Sequence, residues 1–344
     1  MDVQLNTLYV VTRGASVQRD HLTLQVRVAK QVKLTVPIHQ LESIALFGMT
    51  HITPGAMQLC AEHKVAVTFL TESGRVISRV DAPGSGNVLL RRTQFRWADQ
   101  PQHIAAIARC IVAGKVQNAR NLLLRGAREA AEPQQSTTLQ KAAAHLADLI
   151  PRLPDLTDVD AIRGYEGDAA RVYFEAFPAL VRQNRDAFSF SSRSRRPPLD
   201  PLNALLSFVY ALLLVDCMSA AAVAGLDPSV GFLHVDRPGR PGLALDLMEE
   251  FRSLIADRLV LALVNRQQVK PNHFLKQESG AVRMTDEARR TVVAAYQQRK
   301  RDEVAHPLLN QKTTLGRLPF LQARILARHL RGDLPSYVPC VLKN

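Results

Sequence analysis

The hydrophobic pattern of the chain changes period once, across Asp81-Ala-Pro-Gly-Ser-Gly-Asn87, and that switch limits the fold more than any other feature. Before it lie short runs rich in β-branched residues: Thr7 to Thr12, Leu22 to Val28, Val32 to Ile38, Ser43 to Phe47, Val65 to Phe69 and Val76 to Val80. Turn residues bound each run, and one helix is expected among them, from Pro54 to His63, where Ala56, Leu59 and Cys60 recur at helical spacing. After the switch nearly everything is helical in period. The expected helices are Ile104 to Leu124, Thr138 to Leu149, Glu166 to Phe177, Pro201 to Ala224, Leu243 to Val264, Thr285 to Arg299 and Leu318 to Leu330. The reading is an α+β protein: a small, mostly β N-terminal domain over 1–85, joined to a larger C-terminal α-helical bundle domain over 86–344. Its 344 residues suit two domains, since single cores stop growing near ~250 residues.

Charge points to the partner. Lys and Arg number 44 against 31 Asp and Glu, a net of +13 that favours a polyanion over a neutral metabolite. Residues 1–85 carry only +2 of it, so a nucleic acid is expected to meet the helical domain. Cys60, Cys110, Cys217 and Cys340 are too dispersed for a metal knuckle or a disulfide scaffold and read as reduced core residues. MDVQLNTLYV lacks the features of an export leader. The longest apolar run, around Leu205 to Val215, is shorter than the ~20 residues of a membrane span. A cytoplasmic protein with no membrane contact is therefore expected. The chain contains no Walker A loop, GxGxxG, zinc finger or GxSxG elbow, which argues against nucleotide-driven and acyl-transfer chemistry.

Four acids and a histidine carry the chemical reading. Glu166 is read as opening a helix, and its spacing with Ala170, Tyr173 and Phe177 puts the carboxylate on the buried side. Burying a lone carboxylate is costly, which leaves three roles: metal ligand, partner of an arginine, or first-turn acid favoured by the helix dipole. His234 follows the apolar Gly231-Phe-Leu and precedes a breaker-rich loop, a position that sites often occupy, although for a single histidine the structural core-edge reading is the commoner one. Asp246, Glu249 and Glu250 fall early in the next helix. Asp246 and Glu249 can share a face, while Glu250 turns about 100° away from Glu249. An acid-rich first turn is often merely solvated. Two carboxylates with one imidazole nevertheless suit Mg²⁺ or Mn²⁺, the latter tolerating nitrogen better.

Such an ion would polarise a phosphodiester, with basic side chains holding the backbone. The candidates are Arg182, Arg185, Arg193, Arg195, Arg196 and Arg240, with a second polar set of Lys115, Asn118 and Arg120. Either set could equally be a solvated surface.

Three blocks in order, Gly164 to Tyr173, Arg193 to Tyr210, and Gly231 to His234 followed by Leu243 to Arg252, resemble the universal integrase of CRISPR adaptation, the metal-dependent enzyme that inserts new spacers. The resemblance runs over essentially the whole chain. It implies metal ligands at Glu166, at His234 and at Glu249, where some relatives have Asp, with Asp246 as a fourth or supporting group. It further implies a homodimer, contacts through the N-terminal domain, a small ferredoxin-like companion CRISPR protein bridging two dimers, and a protospacer duplex laid across the assembly. Leu233 to Arg252 is similar to members of the I-C subtype. Transposon integrases related to the family, and a non-catalytic basic scaffold for nucleic acid, are the other readings.

Overall fold

The computed structural model describes residues 6–81, 87–194 and 197–342. The breaker residues 82–86 and the expected DNA contacts Arg195 and Arg196 lie outside them. The chain forms two compact units, Met1–Ser85 with Met284–Ala294, and Gly86–Arg283 with Ala295–Asn344. The first thus recruits a segment from far along the sequence. The protein is α+β.

The first unit holds β1 (Asn6–Val10), β2 (Ser16–Asp20), β3 (Thr23–Val28), β4 (Gln31–Pro37), β5 (Leu41–Phe47), β6 (His51–Ile52), α1 (Pro54–Glu62), β7 (Ala66–Leu70) and β8 (Val76–Val80). They make two four-stranded sheets, ordered β1-β5-β7-β8 and β4-β3-β2-β6. β5 and β7 pair in parallel, with Ile44 opposite Val67. A parallel pair needs a crossover, and α1 supplies it. Thr53 caps α1 through its hydroxyl, and Pro54 is preset for the first helical position. Leu8, Val10, Val17, Leu24, Ile44, Leu46, Leu59 and Val67 form the common core.

The second unit is built on α2 (Val88–Ala98), α3 (Pro101–Glu129), α4 (Pro133–Leu149), α5 (Val159–Ala176), α6 (Pro201–Val223), α7 (Gly242–Phe251) and α8 (Arg258–Asn265). Between α7 and α8 runs a π-helical turn, Arg252–Asp257. Two short ladders follow, β9 (Phe274–Lys276) with β10 (Val282–Met284) and β11 (Glu303–Ala305) with β12 (Lys312–Thr314). Asp286–Lys300 is α9, whose residues up to Ala294 count with the first unit and the rest with the second, and Leu318–Leu330 is α10. The long helix α3 packs against α4, α5 and α7, so it runs through the middle of the bundle. α6 starts as its local signals require, with the Asp200 side chain accepting from Asn203 N and Pro201 at the first position. It is apolar nearly all round because it is buried nearly all round. Among the described residues it alone is long and apolar enough to cross a membrane, and 78% of that stretch is buried inside the protein.

Two expectations about helix boundaries change. Glu166 does not open a helix: α5 begins at Val159, capped by the Asp158 carboxylate on Ala161 N, and Glu166 lies two turns inward. The dipole of a helix terminus fades within the first turn, so it does not account for this acid. The single helix expected over 243–264 is instead α7 and α8 separated by the π turn, which shifts the side chains after Phe251 to new faces.

Candidate functional site

Four segments of the helical unit bring polar side chains to one another around the buried Glu249 and the half-buried Lys115: Lys115 from α3, Glu166 from α5, His234 from the loop after α6, and Glu249 from α7. The Lys115 ammonium touches Glu166 Oε1 and lies 2.6 Å from Glu249 Oε2. His234 Nε2 is 3.9 Å from Glu249 Oε1, and Arg252 Nη2 from the π turn is 3.2 Å from the same oxygen. Glu249 is 2% exposed, and among the described residues its Oε2 has no donor apart from Lys115. Burial alone would raise its pKa; Arg252, Lys115 and His234 outweigh that and hold the carboxyl below its ordinary range.

Asp246 faces the other way. Its Oδ2 accepts from Phe232 N at 2.6 Å and Leu233 N at 2.9 Å, and its Oδ1 from His234 N at 3.0 Å. The same Oδ1 takes His234 Nδ1 at 2.7 Å. An ionised carboxylate can only accept, so Nδ1 donates to Asp246 and Nε2 is the ring nitrogen that stands near Glu249. Gly231 makes the close approach possible. A Cβ there would lie 2.8 Å from Asp246 Oδ2 and 2.7 Å from the Gly242 carbonyl carbon.

The remaining acids separate by partner. Glu250, fully buried, receives the Tyr337 hydroxyl, Cys340 N at 2.7 Å and Gln322 Nε2 at 3.1 Å. Burial lifts its pKa to about 7 against those three hydrogen bonds. Asp257, at the end of the π turn, accepts from Tyr173 at 2.7 Å and Tyr210 at 2.6 Å. Burial raises it to about 6 although both tyrosines, Arg252 and Arg193 act the other way.

As a metal seat the donor set is right in kind, since two carboxylates and an imidazole with its second nitrogen fixed are hard-ion ligands. Among the described residues, however, no three acidic, cysteine or histidine side chains already stand together around one vacant point, because Lys115 lies between Glu166 and Glu249.

The expected DNA contacts divide. Arg193 is turned inward, donating to Asn203 Oδ1 at 2.6 Å and Ser207 Oγ at 3.0 Å and lying over the Tyr210 ring, so it braces the start of α6 instead of presenting a phosphate fork. Asn118 is 1% exposed, its amide donating to the Glu250 and Cys340 carbonyls. It ties the C-terminal segment to α3 and cannot reach DNA. Lys115 belongs to the acid cluster instead of a surface patch. Arg182 and Arg185 are exposed, paired with Glu129 and Glu132. Arg120 is half-buried, and Arg240 reaches the Val235 carbonyl at 3.4 Å. Sequence reasoning had passed over Arg252 and the Asp257–tyrosine pair, whose only signal was polar residues inside an apolar helical run.

A basic protein with a β unit, a helical bundle and a buried acid–imidazole–lysine centre is the class this fold and site define. The family model described as CRISPR associated protein Cas1 matches residues 8–298, and the chain belongs to that family. It is 49% identical over 339 residues to CRISPR-associated endonuclease Cas1 1 of Moorella thermoacetica, covering 98% of this chain and 99% of that one. It is 47% identical over 341 residues to CRISPR-associated endonuclease Cas1 1 of Chlorobaculum tepidum, covering 99% of each. Among solved structures, a chain of a Cas6-RT-Cas1–Cas2 complex superposes with a TM-score of 0.84 at 25% identity, over 100% of this chain and 37% of that longer one.

Proposed function

We propose that this protein is a divalent-metal-dependent DNA endonuclease and integrase that inserts protospacer DNA into a CRISPR array. The observation that carries the reading is that Glu166 and Glu249, from two separate helices, share the Lys115 ammonium while His234 Nε2 stands 3.9 Å from Glu249. Mg²⁺ or Mn²⁺ held by these three would polarise a phosphodiester and stabilise charge on the attacking and leaving oxygens. Asp246 keeps the His234 ring in the tautomer whose Nε2 can ligate. Arg252, braced over the Tyr210 ring, keeps Glu249 ionised.

The reaction is an exchange of esters: a protospacer 3′-hydroxyl attacks a repeat phosphorus in line, one phosphodiester forms and one breaks, and the departing 3′-oxygen takes a proton. Water in place of the hydroxyl gives cleavage, consistent with the endonuclease names of the close relatives. Arg182, Arg185, Arg195, Arg196, Arg240 and Arg120 are the side chains assigned to phosphate, which positions DNA without reading its sequence. Double-stranded protospacer and repeat DNA, a second copy of this chain, and a small ferredoxin-like companion bridging two dimers are the proposed partners. The Cas1–Cas2 association named for the structural neighbour supports the companion. A cytoplasmic location and the I-C subtype complete the reading.

The test is a strand-transfer assay with labelled protospacer, supercoiled repeat plasmid, the companion protein and Mn²⁺. His234→Ala, correctly folded, should lose joining and cleavage while its DNA affinity stays within a few-fold. Joining at near the parental rate overturns the assignment.

A further inference from the structure

Lys115 stands where the proposed ion would have to lie. Its ammonium bridges Glu166 and Glu249, and its side chain is only 12% exposed. With Arg252 it sets two cations against two carboxylates, so the pocket is electrically balanced before any ion arrives. The bridge explains how two acids from α5 and α7 can face one another inside a bundle. An ion taking the same two oxygens cannot share them with an ammonium, whose positive charge would lie against its own. The lysine has to leave for the ion to bind. A compact charge on a flexible four-carbon stem, unlike an arginine fork, can do so, and the stem already borders a cavity lined by Ala119, Ala169, Ala170 and Tyr173.

We propose that Lys115 is an exchangeable occupant of the metal seat: it holds Glu166 and Glu249 together without metal, and on metal binding it is handed to a phosphate of bound DNA. The idea rests on the metal reading above and adds a consequence to it. Metal alone must displace the lysine from two carboxylates with nothing to receive it. Metal with DNA displaces it onto a phosphate, so each ligand tightens the other by the same factor. The protein thereby stays poorly loaded until its substrate is present, through one side chain.

The experiment titrates Mn²⁺ into the full chain and counts free ion by electron paramagnetic resonance, with and without a short blunt DNA duplex. Glu249→Gln with the same duplex serves as the baseline for ion held by DNA itself. The native protein should bind Mn²⁺ about tenfold more tightly with duplex, within the usual range of such couplings. Lys115→Met should bind it about tenfold more tightly than native without DNA, and should change less than about threefold when duplex is added. Its metal-free form should also melt at a lower temperature and recover with Mn²⁺. Lys115→Gln is read in the same way if the Met variant fails to fold.

Either neutral variant binding Mn²⁺ no more tightly than native without DNA overturns the proposal. So does a native affinity that duplex leaves unchanged. If Glu249→Gln binds Mn²⁺ as well as native, the metal assignment itself is at fault. If it loses the ion while the lysine variants behave as native, only the lysine's role falls.

Discussion

Helix α7 separates two polar interiors that begin from adjacent residues. On one side Glu249 meets the Lys115 and Arg252 cations, with the His234 ring close by, and that surrounding holds its carboxyl ionised against burial. On the other Glu250 meets a tyrosine hydroxyl, a backbone N–H and a glutamine amide, neutral donors that leave its pKa near 7. Both are buried to within 2%. Burial therefore does not decide what a buried acid is for; the charge of its partners does. Cations preserve a negative charge for use on a ligand, whereas neutral donors make an anchor that works in either protonation state.

The largest effect expected from this contrast is on chemistry. Glu249→Gln should reduce strand transfer and cleavage by at least about a thousandfold while DNA affinity stays within a few-fold, because affinity is spread over a basic surface and chemistry is not. Combining it with His234→Ala should add little, since both empty the same seat. Joining assays beside filter binding measure both. Glu250→Gln should keep activity, and a loss as deep as that of Glu249→Gln would erase the comparison.

Stability should respond in the opposite order. Glu250→Ala takes the acceptor from the Tyr337 hydroxyl and Cys340 N and removes one of the acceptors of Gln322, and should cost about 2–4 kcal/mol in urea unfolding. Glu250→Gln, retaining an acceptor oxygen, should cost about 1 kcal/mol.

Asp257 sharpens the contrast on a pH axis. It is anchored by two tyrosines, and burial raises its pKa from 3.8 to about 6. Above the ordinary value the unfolded chain releases this proton before the folded one does, so the contribution falls as pH rises from about 4 to about 6 and is flat beyond. The whole loss is on the order of 3 kcal/mol. Asp257→Asn should remove this component from the pH dependence of the melting temperature, and an unchanged profile would return Asp257 to an ordinary ionised acid. The smallest effect concerns the exposed arginines. Arg182→Ala with Arg185→Ala should weaken DNA binding a few-fold and lower the slope of log affinity against log salt by about one per lost contact.

Much of this architecture is legible in the residues. The β runs, the capped α1 and α6, and the long helices follow local period and capping, which act within a few residues. β2 escaped because Ser16–Asp20 buries only Val17 fully, and α2 because its helix is dominated by arginines and exposed apolar residues such as Leu89. The start of α5 was misplaced although Asp158 offered a cap, because the apolar face before Glu166 rests on Ile162 alone. The π turn is invisible to a periodicity argument, since the pattern stays apolar while its register slips. Glu166, His234 and Glu249 were proposed from residue type and from the resemblance. Lys115 was not assigned to them, because nothing local says that a lysine on α3 will meet acids 51 and 134 positions later. Asp246 was read as a fourth or supporting group; its carboxylate holds the His234 ring and three backbone N–H groups, contacts that leave no mark on residue identity.

The partner that Glu250 takes from the C-terminal segment has a consequence for how the molecule is made. Cys340 N lies 90 residues downstream of that carboxylate. At roughly 5–20 residues per second of synthesis, α7 leaves the ribosome about 5–18 s before that backbone donor exists. During that interval the helix bearing Glu249 has its acid-facing partners from α3 and α5 already translated and its opposite side unfinished. The partners on the Glu249 side of α7 are thus available to the nascent chain before those on the Glu250 side.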